Sequence, residues 1–171
     1  MVYCDFTQPS NGPNLQKFIG YEDVKSTTVN FYVQKDTPFS TVGTQIPFEV
    51  EVVNTGNAMD AATGIFTAPV KGTYFFTFTG HAHFQGGAFS VLETLSVNLY
   101  LNGNVIGTSL VGETHDLHNQ PSPLALQSTL SLAAGDQVWI QIQSLTAGVT
   151  LYDDSNHLTH FNGCLLEQDF S

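Results

Sequence analysis

The chain contains 171 residues, enough for one domain, and 42% of them are hydrophobic while only 11% are charged. Fifteen acidic residues against four basic ones give a formal net charge of −11 at pH 7, which argues against nucleic acid and anionic membrane surfaces as partners. No apolar run is long enough to span a membrane. A divalent cation or a neutral or cationic ligand suits this charge, although acidity also serves simply to keep a protein soluble.

Residues 1–27 show no sustained periodicity and are predicted to form an extended leader, followed by one domain over residues 28–171. Nothing in the leader is collagen-like. The two cysteines of the chain are Cys4 in the leader and Cys164 near the end of the domain. Cys4 could pair with Cys164 or link to another chain, whereas the ordinary role of Cys164 is that of a small buried residue.

From Val29 onward, short segments of alternating apolar and polar residues recur with turn residues between them and without helical periodicity. This pattern is typical of an antiparallel sandwich or jelly roll. Asn102 and Gly103 are predicted to form a type I′ hairpin turn, because both residues accept a positive φ. The clearest strand segments are 29–33, 48–53, 64–68, 73–78, 95–101, 126–132, 137–142 and 161–166.

Three aromatic residues of one segment, Tyr74, Phe76 and Phe78, are spaced two apart and therefore lie on one face of a strand. That face is predicted to be a core face. Pro69 and Gly72 provide the chain reversal before it, because proline fixes φ and glycine tolerates a positive φ.

Aromatic and turn residues also fall at fixed offsets over a longer stretch: Phe48, Asn54, Phe66, Gly72, Tyr74, Phe76 and Phe78. This spacing resembles the signature of the C1q-like globular head domain, a jelly roll like that of tumour necrosis factor. The chain departs from the pattern at Met59, where the family has an aromatic residue or leucine. Residues 97–104, 128–142 and 159–166 resemble the later strands of the family in the right order, so the resemblance covers roughly residues 28–170.

The resemblance implies a ten-stranded antiparallel jelly-roll sandwich of two five-stranded sheets, assembled as a homotrimer. It also implies a secreted, extracellular protein without catalytic activity, of lectin-like function, that recognises carbohydrate or microbial-surface patterns in innate immunity. The alternatives are a signalling or adhesion ligand for a protein receptor, and a structural component of an extracellular matrix. No nucleophile elbow, metalloprotease helix, P-loop or Cys-x-x-Cys motif is present in the sequence, so an enzyme is not expected.

Two polar segments, 112–122 and 152–157, are predicted to be surface loops, and long loops on a rigid sandwich are frequent binding sites. The ligand-binding residues predicted there are Glu113, His115, Asp116, His118, Asp153, Asp154, Asn156 and His157.

Asp136, with Gln137, is predicted to bind Ca²⁺, because the resemblance places this motif near the end of the trimer at which calcium is often held, together with the ligand loops. The alternative is a turn-forming aspartate after Gly135.

The six histidines fall into three close groups. His81 and His83 lie two apart on one strand face and could share a metal ion, although hydrogen-bonded or surface histidines are the more common outcome. The groups are His81 with His83, His115 with His118, and His157 with His160.

Trp139 alternates with Val138 and Ile140 and shares its face of the strand with Gln137 and Gln141. A tryptophan among glutamines could be a platform on which a sugar stacks, or it could be covered by a neighbouring subunit. The resemblance places this strand near the subunit contacts and therefore favours the second interpretation.

Overall fold

Two antiparallel sheets pack face to face, and each is built from segments in which apolar and polar residues alternate. The structure is a computed structural model that describes residues 2–4, 16–18, 28–84, 92–114 and 120–169. Within these ranges no helix is long and apolar enough to cross a membrane. The strands of the described residues are β1 Val2–Cys4, β2 Gln16–Phe18, β3 Asn30–Gln34, β4 Val50–Thr55, β5 Met59–Asp60, β6 Ile65–Thr67, β7 Gly72–Phe84, β8 Leu92–Leu101, β9 Asn104–Thr114, β10 Gln120–Leu132, β11 Gln137–Leu145, β12 Thr150–Tyr152 and β13 His160–Gln168.

One sheet has the order β10-β7-β13-β3-β4, with β12 pairing β7 beside it, and the other has the order β5-β6-β11-β8-β9. The predicted sandwich of antiparallel strands is therefore confirmed, but its predicted strand count is wrong. The first sheet has six strands among the described residues rather than five, because β12 pairs with β7 beyond the point at which β13 begins. A three-residue strand is too short to show an alternating pattern, so the sequence gives no sign of it.

The segment predicted to be an extended leader contains a strand pair of its own. Val2 lies opposite Phe18, and Cys4 lies opposite Gln16, in a separate two-stranded antiparallel sheet. Three-residue strands again carry too little periodicity to be recognised in the sequence. The domain boundary at residue 28 stays a prediction.

The core lies between the sheets, and aromatic rings dominate its centre. Tyr74, Phe76 and Phe78 are all buried on the inward side of β7, which confirms the predicted core face. Phe66 of the opposite sheet lies 5.5 Å from the ring of Tyr74 and 5.2 Å from that of Phe76. Gly163 makes room for these rings, since a Cβ atom there would come within 2.7 Å of Phe76.

A tight turn over residues 54–59, which the side chain of Asn54 closes, joins the two sheets. The Asn54 side chain accepts a hydrogen bond from the Met59 amide at 3.2 Å and donates one to the Met59 carbonyl at 2.7 Å. The turn between them needs positive φ at Gly56 and Asn57. Met59 itself is 4% exposed, so the residue that departs from the family pattern still fills the core.

The register of β7 with β10 defines the two ends of the sandwich. Gly72 lies opposite Leu132 at one end, and Phe84 lies opposite Gln120 at the other. These positions are about 40 Å apart at the usual rise of a strand. We call them the Gly72 end and the Phe84 end.

Candidate functional site

The outward side of the six-stranded sheet is one candidate site, which we call the Phe75 face. Its centre is a depression of about 420 Å³, lined mainly by residues of β3, β7 and β13. Among the outward rows that the described register sets across this sheet, the one Asp, Glu, Lys or Arg is Glu167, opposite Thr73 at the Gly72 end. The rows are Ser131, Thr73 and Glu167; Thr129, Phe75, Cys164, Asn30 and Thr55; Gln127, Thr77, Asn162, Tyr32 and Val53; Ala125, Thr79, His160, Gln34 and Val50; Pro123, His81 and Tyr152; and Pro121, His83 and Thr150.

Three histidines lie on the part of this face toward the Phe84 end. His81 and His83 share the face as predicted, and the ring of His83 lies 5.4 Å from that of Tyr152. The ring of His160 lies 5.6 Å from Tyr32 on the neighbouring strand. In the part of the chain that the structure describes, no group of three His, Cys, Asp or Glu residues could hold a metal ion. Metal binding by these histidines would therefore need ligands from elsewhere.

The outward side of the five-stranded sheet is a second candidate, which we call the Trp139 face. Trp139 lies opposite Ile65 on one side and Tyr100 on the other. The rings of Trp139 and Tyr100 are parallel to within 3°, with centroids 5.4 Å apart. The next row is polar and contains Gln45, Gln141, Asn98 and Thr108.

The polar side chains of the Trp139 face are joined by hydrogen bonds. Gln143 Oε1 accepts from Asn98 Nδ2 at 3.0 Å and from the Tyr100 hydroxyl at 3.3 Å. Thr108 donates to Asn98 Oδ1 at 2.8 Å, and Trp139 Nε1 donates to Gln141 Oε1 at 3.4 Å. Asn98 is only 4% exposed although it points outward, so its neighbours form a raised layer over the sheet.

Asp136 lies at the Gly72 end and joins two turns. Its carboxylate accepts hydrogen bonds from the Ala133 amide and from Asn102 Nδ2, both at 2.8 Å. Asn102 Oδ1 in turn accepts from the Gln137 amide at 2.8 Å. Both carboxylate oxygens are thus engaged in hydrogen bonds. The arrangement fits a turn clamp better than a calcium site within one chain.

The predicted calcium residues and the predicted ligand loops do not lie together. Asp136 follows the end of β10 next to Gly72, whereas segment 153–159 leaves the sheet between β12 and β13, beside residues 79–81 of β7. Asp136 and segment 153–159 therefore do not share an end of the sandwich. Sequence order does not reveal which turns share an end of a sandwich; the strand register does.

In the loop that contains Asp153, backbone amides donate hydrogen bonds to side-chain carboxylates of the same loop. Asp153 is 2% exposed and accepts hydrogen bonds from the amides of Asp154, Leu158 and Thr159 at 2.7, 3.0 and 2.7 Å. Such an arrangement fixes the loop conformation rather than offering oxygen atoms to a ligand. Of the residues predicted to bind ligand in this loop, Asp153 is the least accessible.

Asp154, Asn156 and His157 complete the same loop. Asp154 Oδ1 accepts from the amide and the Nδ2 of Asn156, both at 2.8 Å, and the backbone bond from Asn156 is the main reason why the pKa of Asp154 lies below its usual value. The hydrogen bond that Tyr152 donates to Asp154 raises the pKa of the Tyr152 hydroxyl. His157 has a φ of 53°, and its Nδ1 lies 2.8 Å from the Lys35 carbonyl.

Glu113 is the one predicted ligand of the other loop that the structure describes. It lies opposite Glu93 in the β8–β9 register and accepts a hydrogen bond from Ser122 at 2.6 Å. His115, Asp116 and His118 lie outside the described residues. Their part in a binding site stays a prediction.

Cys164 carries a free thiol and lies opposite Phe75 on the Phe75 face, half-buried. The side chain of Cys4 lies outside the described part of the structure.

Several residues of the two faces escape sequence reasoning. Phe75 lies on the outward side of β7, between Thr73 and Thr77. The alternation along β7 already places this aromatic residue on the side away from the core, so the sequence does contain a signal for it. The neighbours of Trp139 leave no such signal, because Tyr100 reaches it only through pairing between distant strands.

A family model of the C1q domain matches residues 30–166 of the chain. Among curated proteins, the chain is 33% identical over 138 residues to complement C1q tumor necrosis factor-related protein 3 of Mus musculus and 30% identical over 138 residues to the protein of the same name in Homo sapiens. Each match covers 81% of this chain and 51% of the relative. The chain thus spans about half the length of the curated relatives it matches.

Two solved structures share the fold. The globular domain of zebrafish complement 1qA protein superimposes with a TM-score of 0.63 at 20% identity, over 83% of this chain and 99% of that one. Eiger TNF from S. frugiperda superimposes with a TM-score of 0.65 at 10% identity, over 85% of this chain and 97% of that one. At these identities the likeness concerns the fold alone, and it confirms the predicted jelly-roll sandwich.

Proposed function

Because the chain belongs to the C1q domain family, we propose that it is a secreted, trimeric recognition protein that binds carbohydrate or microbial-surface patterns. Proteins of this family are non-catalytic and typically form trimers. Membership therefore implies an extracellular, non-catalytic protein. The trimer and the carbohydrate ligand are our proposals for this chain.

The low charge of the Phe75 face is the observation that supports the proposed trimer. The chain has a formal net charge of −11, yet the described outward rows of this sheet contain one acid, Glu167 at the Gly72 end, and no lysine or arginine. Charged residues are depleted at the cores of protein interfaces and aromatic residues are enriched there. An uncharged centre with Phe75 and Tyr32 around a depression fits a surface that another copy of the chain covers.

The charge of the whole chain supports a neutral ligand. A trimer carries three times the negative charge of one chain, so anionic polymers are repelled over its surface. Neutral polysaccharides of cell walls avoid this repulsion. Binding to a protein receptor, and a purely structural role, are the competing outcomes.

Calcium binding at Asp136 and Gln137 stays a prediction. Its support is the acidity of the chain and the carboxylate at a turn. The hydrogen bonds already made by Asp136 argue for the clamp instead.

The proposed function is tested with the purified protein on an array of neutral and anionic glycans, after its molar mass is measured by light scattering. We expect the mass of three chains and saturable binding to neutral glycans that is absent for sulphated ones. A protein that binds no glycan on the array but binds a cell-surface protein would contradict the carbohydrate proposal and favour the receptor ligand.

A further inference from the structure

The Trp139 face combines an aromatic pair with fixed amide groups. Trp139 is the single tryptophan of the chain, and it is partly exposed beside Tyr100. Aromatic side chains with a polar tip suit ligands that have both apolar and polar sides. The C–H side of a sugar ring is such an apolar surface, and its hydroxyl groups need donors and acceptors nearby.

The amides beside the rings provide those donors and acceptors. Within the described residues, the Nε2 groups of Gln141 and Gln143 donate to no protein acceptor, although the Oε1 atoms of both accept hydrogen bonds. The hydrogen-bonded oxygens hold the side chains in place, which lowers the entropic cost of binding. The NH₂ groups are left to donate to a ligand.

Two β-bulges flank the aromatic pair. One shifts the register between Ile142 and Ser144 and leaves Gln143 as the extra residue that reaches over Asn98. The other shifts the register of β9 between Leu99 and Tyr100. Bulges are common next to binding sites because they re-aim side chains.

The few charged residues of the Trp139 face also indicate which ligands it can bind. The row of Trp139 extends through Ile65 to one carboxylate, Asp60, and that carboxylate accepts hydrogen bonds from the amides of Ala62 and Thr63 in its own turn. No lysine or arginine lies in the two described rows of this face. A site with amides and rings but without cations suits a neutral saccharide rather than a sulphated or phosphorylated one.

We infer that the Trp139 face is a binding site for neutral saccharides; the inference rests on the proposed function and gives it a location. The Trp139 and Phe75 faces are the outward sides of two sheets packed face to face, so they point in opposite directions. Self-association through the Phe75 face would leave the Trp139 face open on each subunit. Trp139 therefore takes the role of sugar platform rather than of a residue covered by a neighbouring subunit.

The site lies on a sheet surface rather than in a deep pocket, so each copy binds weakly. Three copies in one trimer would strengthen binding to a repetitive polysaccharide without any further contact. Short soluble oligosaccharides are therefore the right probe of one site, because they cannot bridge subunits.

The test uses laminaripentaose and mannopentaose as neutral probes and a heparin-derived hexasaccharide as the anionic one, each added to the 171-residue protein. Because Trp139 is the single tryptophan, its fluorescence reports on the site directly. We expect at least one neutral pentasaccharide to shift the emission saturably, while the heparin fragment does not. Calorimetry gives the affinity independently of the fluorescence.

Variants then locate the binding. We expect Trp139→Ala to weaken the calorimetric affinity by about 10- to 30-fold, as loss of a central aromatic residue does at interfaces. Gln143→Ala should weaken it by about 3- to 10-fold through one lost hydrogen bond. Trp139→Phe keeps a ring and should lose less than Trp139→Ala, and Val52→Ala, at an exposed site on β4 of the other sheet, should match wild type.

The outcomes separate the two proposals. If wild type binds a neutral pentasaccharide while Trp139→Ala and Gln143→Ala bind it equally well, the location is wrong and the proposed function stands. If wild type binds no saccharide by either method, both fail. Should Trp139→Ala fail to fold, Trp139→Phe and Gln143→Ala carry the test alone.

Discussion

The Phe75 face and the Trp139 face are the outward sides of two sheets that share one core, yet their side chains are organised differently. On the Trp139 face, Asn98 and Tyr100 both donate hydrogen bonds to Gln143. On the Phe75 face, an aromatic ring stands among threonines around an open depression. A preformed network suits a small polar ligand, whereas an uncharged depression suits a complementary protein surface.

The difference shows that low charge alone does not assign a role to a face. Both faces are almost free of charged residues in a chain with a net charge of −11. What distinguishes them is how far the side chains of one face are linked to each other. On the Trp139 face a network joins Asn98, Tyr100, Thr108 and Gln143, whereas on the Phe75 face Gln34 donates to Tyr32 away from Phe75. Five experiments can break or sharpen this comparison, and the first concerns the core on which both faces stand.

Truncation of a central core ring should have the largest effect. Phe76→Ala, and likewise Tyr74→Ala, should lower the free energy of unfolding by about 3–5 kcal/mol, because a buried ring between the sheets leaves a cavity. Urea unfolding at a fixed protein concentration measures it. Val42→Ala, at an exposed position outside the core and both faces, is the control and should change stability by less than about 0.5 kcal/mol.

A wild-type unfolding midpoint for both Tyr74→Ala and Phe76→Ala would show that the inward and outward sides of β7 are assigned the wrong way round. The residues assigned to the outward side of β7 would then lie in the core, and the comparison between the two faces would fail.

A smaller loss of stability is expected when the ion pair between Lys35 and Glu49 is broken. Both residues lie in the connection between β3 and β4. Lys35 is 1% exposed, and its Nζ lies 2.7 Å from Glu49 Oε1. Glu49→Gln should cost about 2 kcal/mol, less than for a fully buried pair because Glu49 is one-third exposed. The double variant Lys35→Met with Glu49→Gln should recover part of this loss, since no buried charge is then left without a partner.

The same pair predicts an acid-dependent loss of stability. Partial burial by itself would raise the pKa of Glu49, but the hydrogen bonds from Lys35, Asp36 and Thr37 outweigh it and hold the pKa below the usual 4.5. The unfolded chain therefore binds the proton more readily, and the stabilisation is present above about pH 4.5 and lost as the pH falls through the folded value. Glu49→Gln should flatten this part of the stability profile between pH 5 and pH 3, and an unchanged profile would contradict the assignment.

The smallest effect is expected at the Gly72 end, which carries neither face. Asp136→Ala removes the bonds to Ala133 and Asn102 and should cost about 1 kcal/mol. If Asp136 is only a clamp, thermal melts will show the same loss with Ca²⁺ and with a chelator. A melting midpoint that Ca²⁺ raises in metal-stripped wild type, but not in Asp136→Ala, would instead establish the calcium site.

Much of the fold can be predicted from local sequence. The alternation of Tyr74, Phe76 and Phe78 fixes the core side of β7, and Asn102 and Gly103 have the positive φ values that the predicted hairpin needs. Both features depend on residues within a few positions of each other. The same is true of the turn that Asn54 closes with Met59.

The sites depend on pairing between distant strands, which local patterns do not contain. Trp139 meets Tyr100 only through the β8–β11 register, and Asp136 meets Asn102 only because two turns share an end of the sandwich. Lys35 gives no sign of burial in its own segment, because its partner Glu49 comes after a long connection. The polar character of the loop after β12 is evident from the sequence, but the hydrogen bonds that its residues make within the loop are not.

The most direct test of the account is the molar mass of two charge variants, one on each face. Phe75→Lys places a cation in the centre of the Phe75 face, and Thr108→Lys places one on the Trp139 face. Light scattering at micromolar concentration should give the mass of three chains for wild type and Thr108→Lys, and of one folded chain for Phe75→Lys. A wild-type protein with the mass of one chain, or a Phe75→Lys variant that keeps the wild-type mass, would contradict the account.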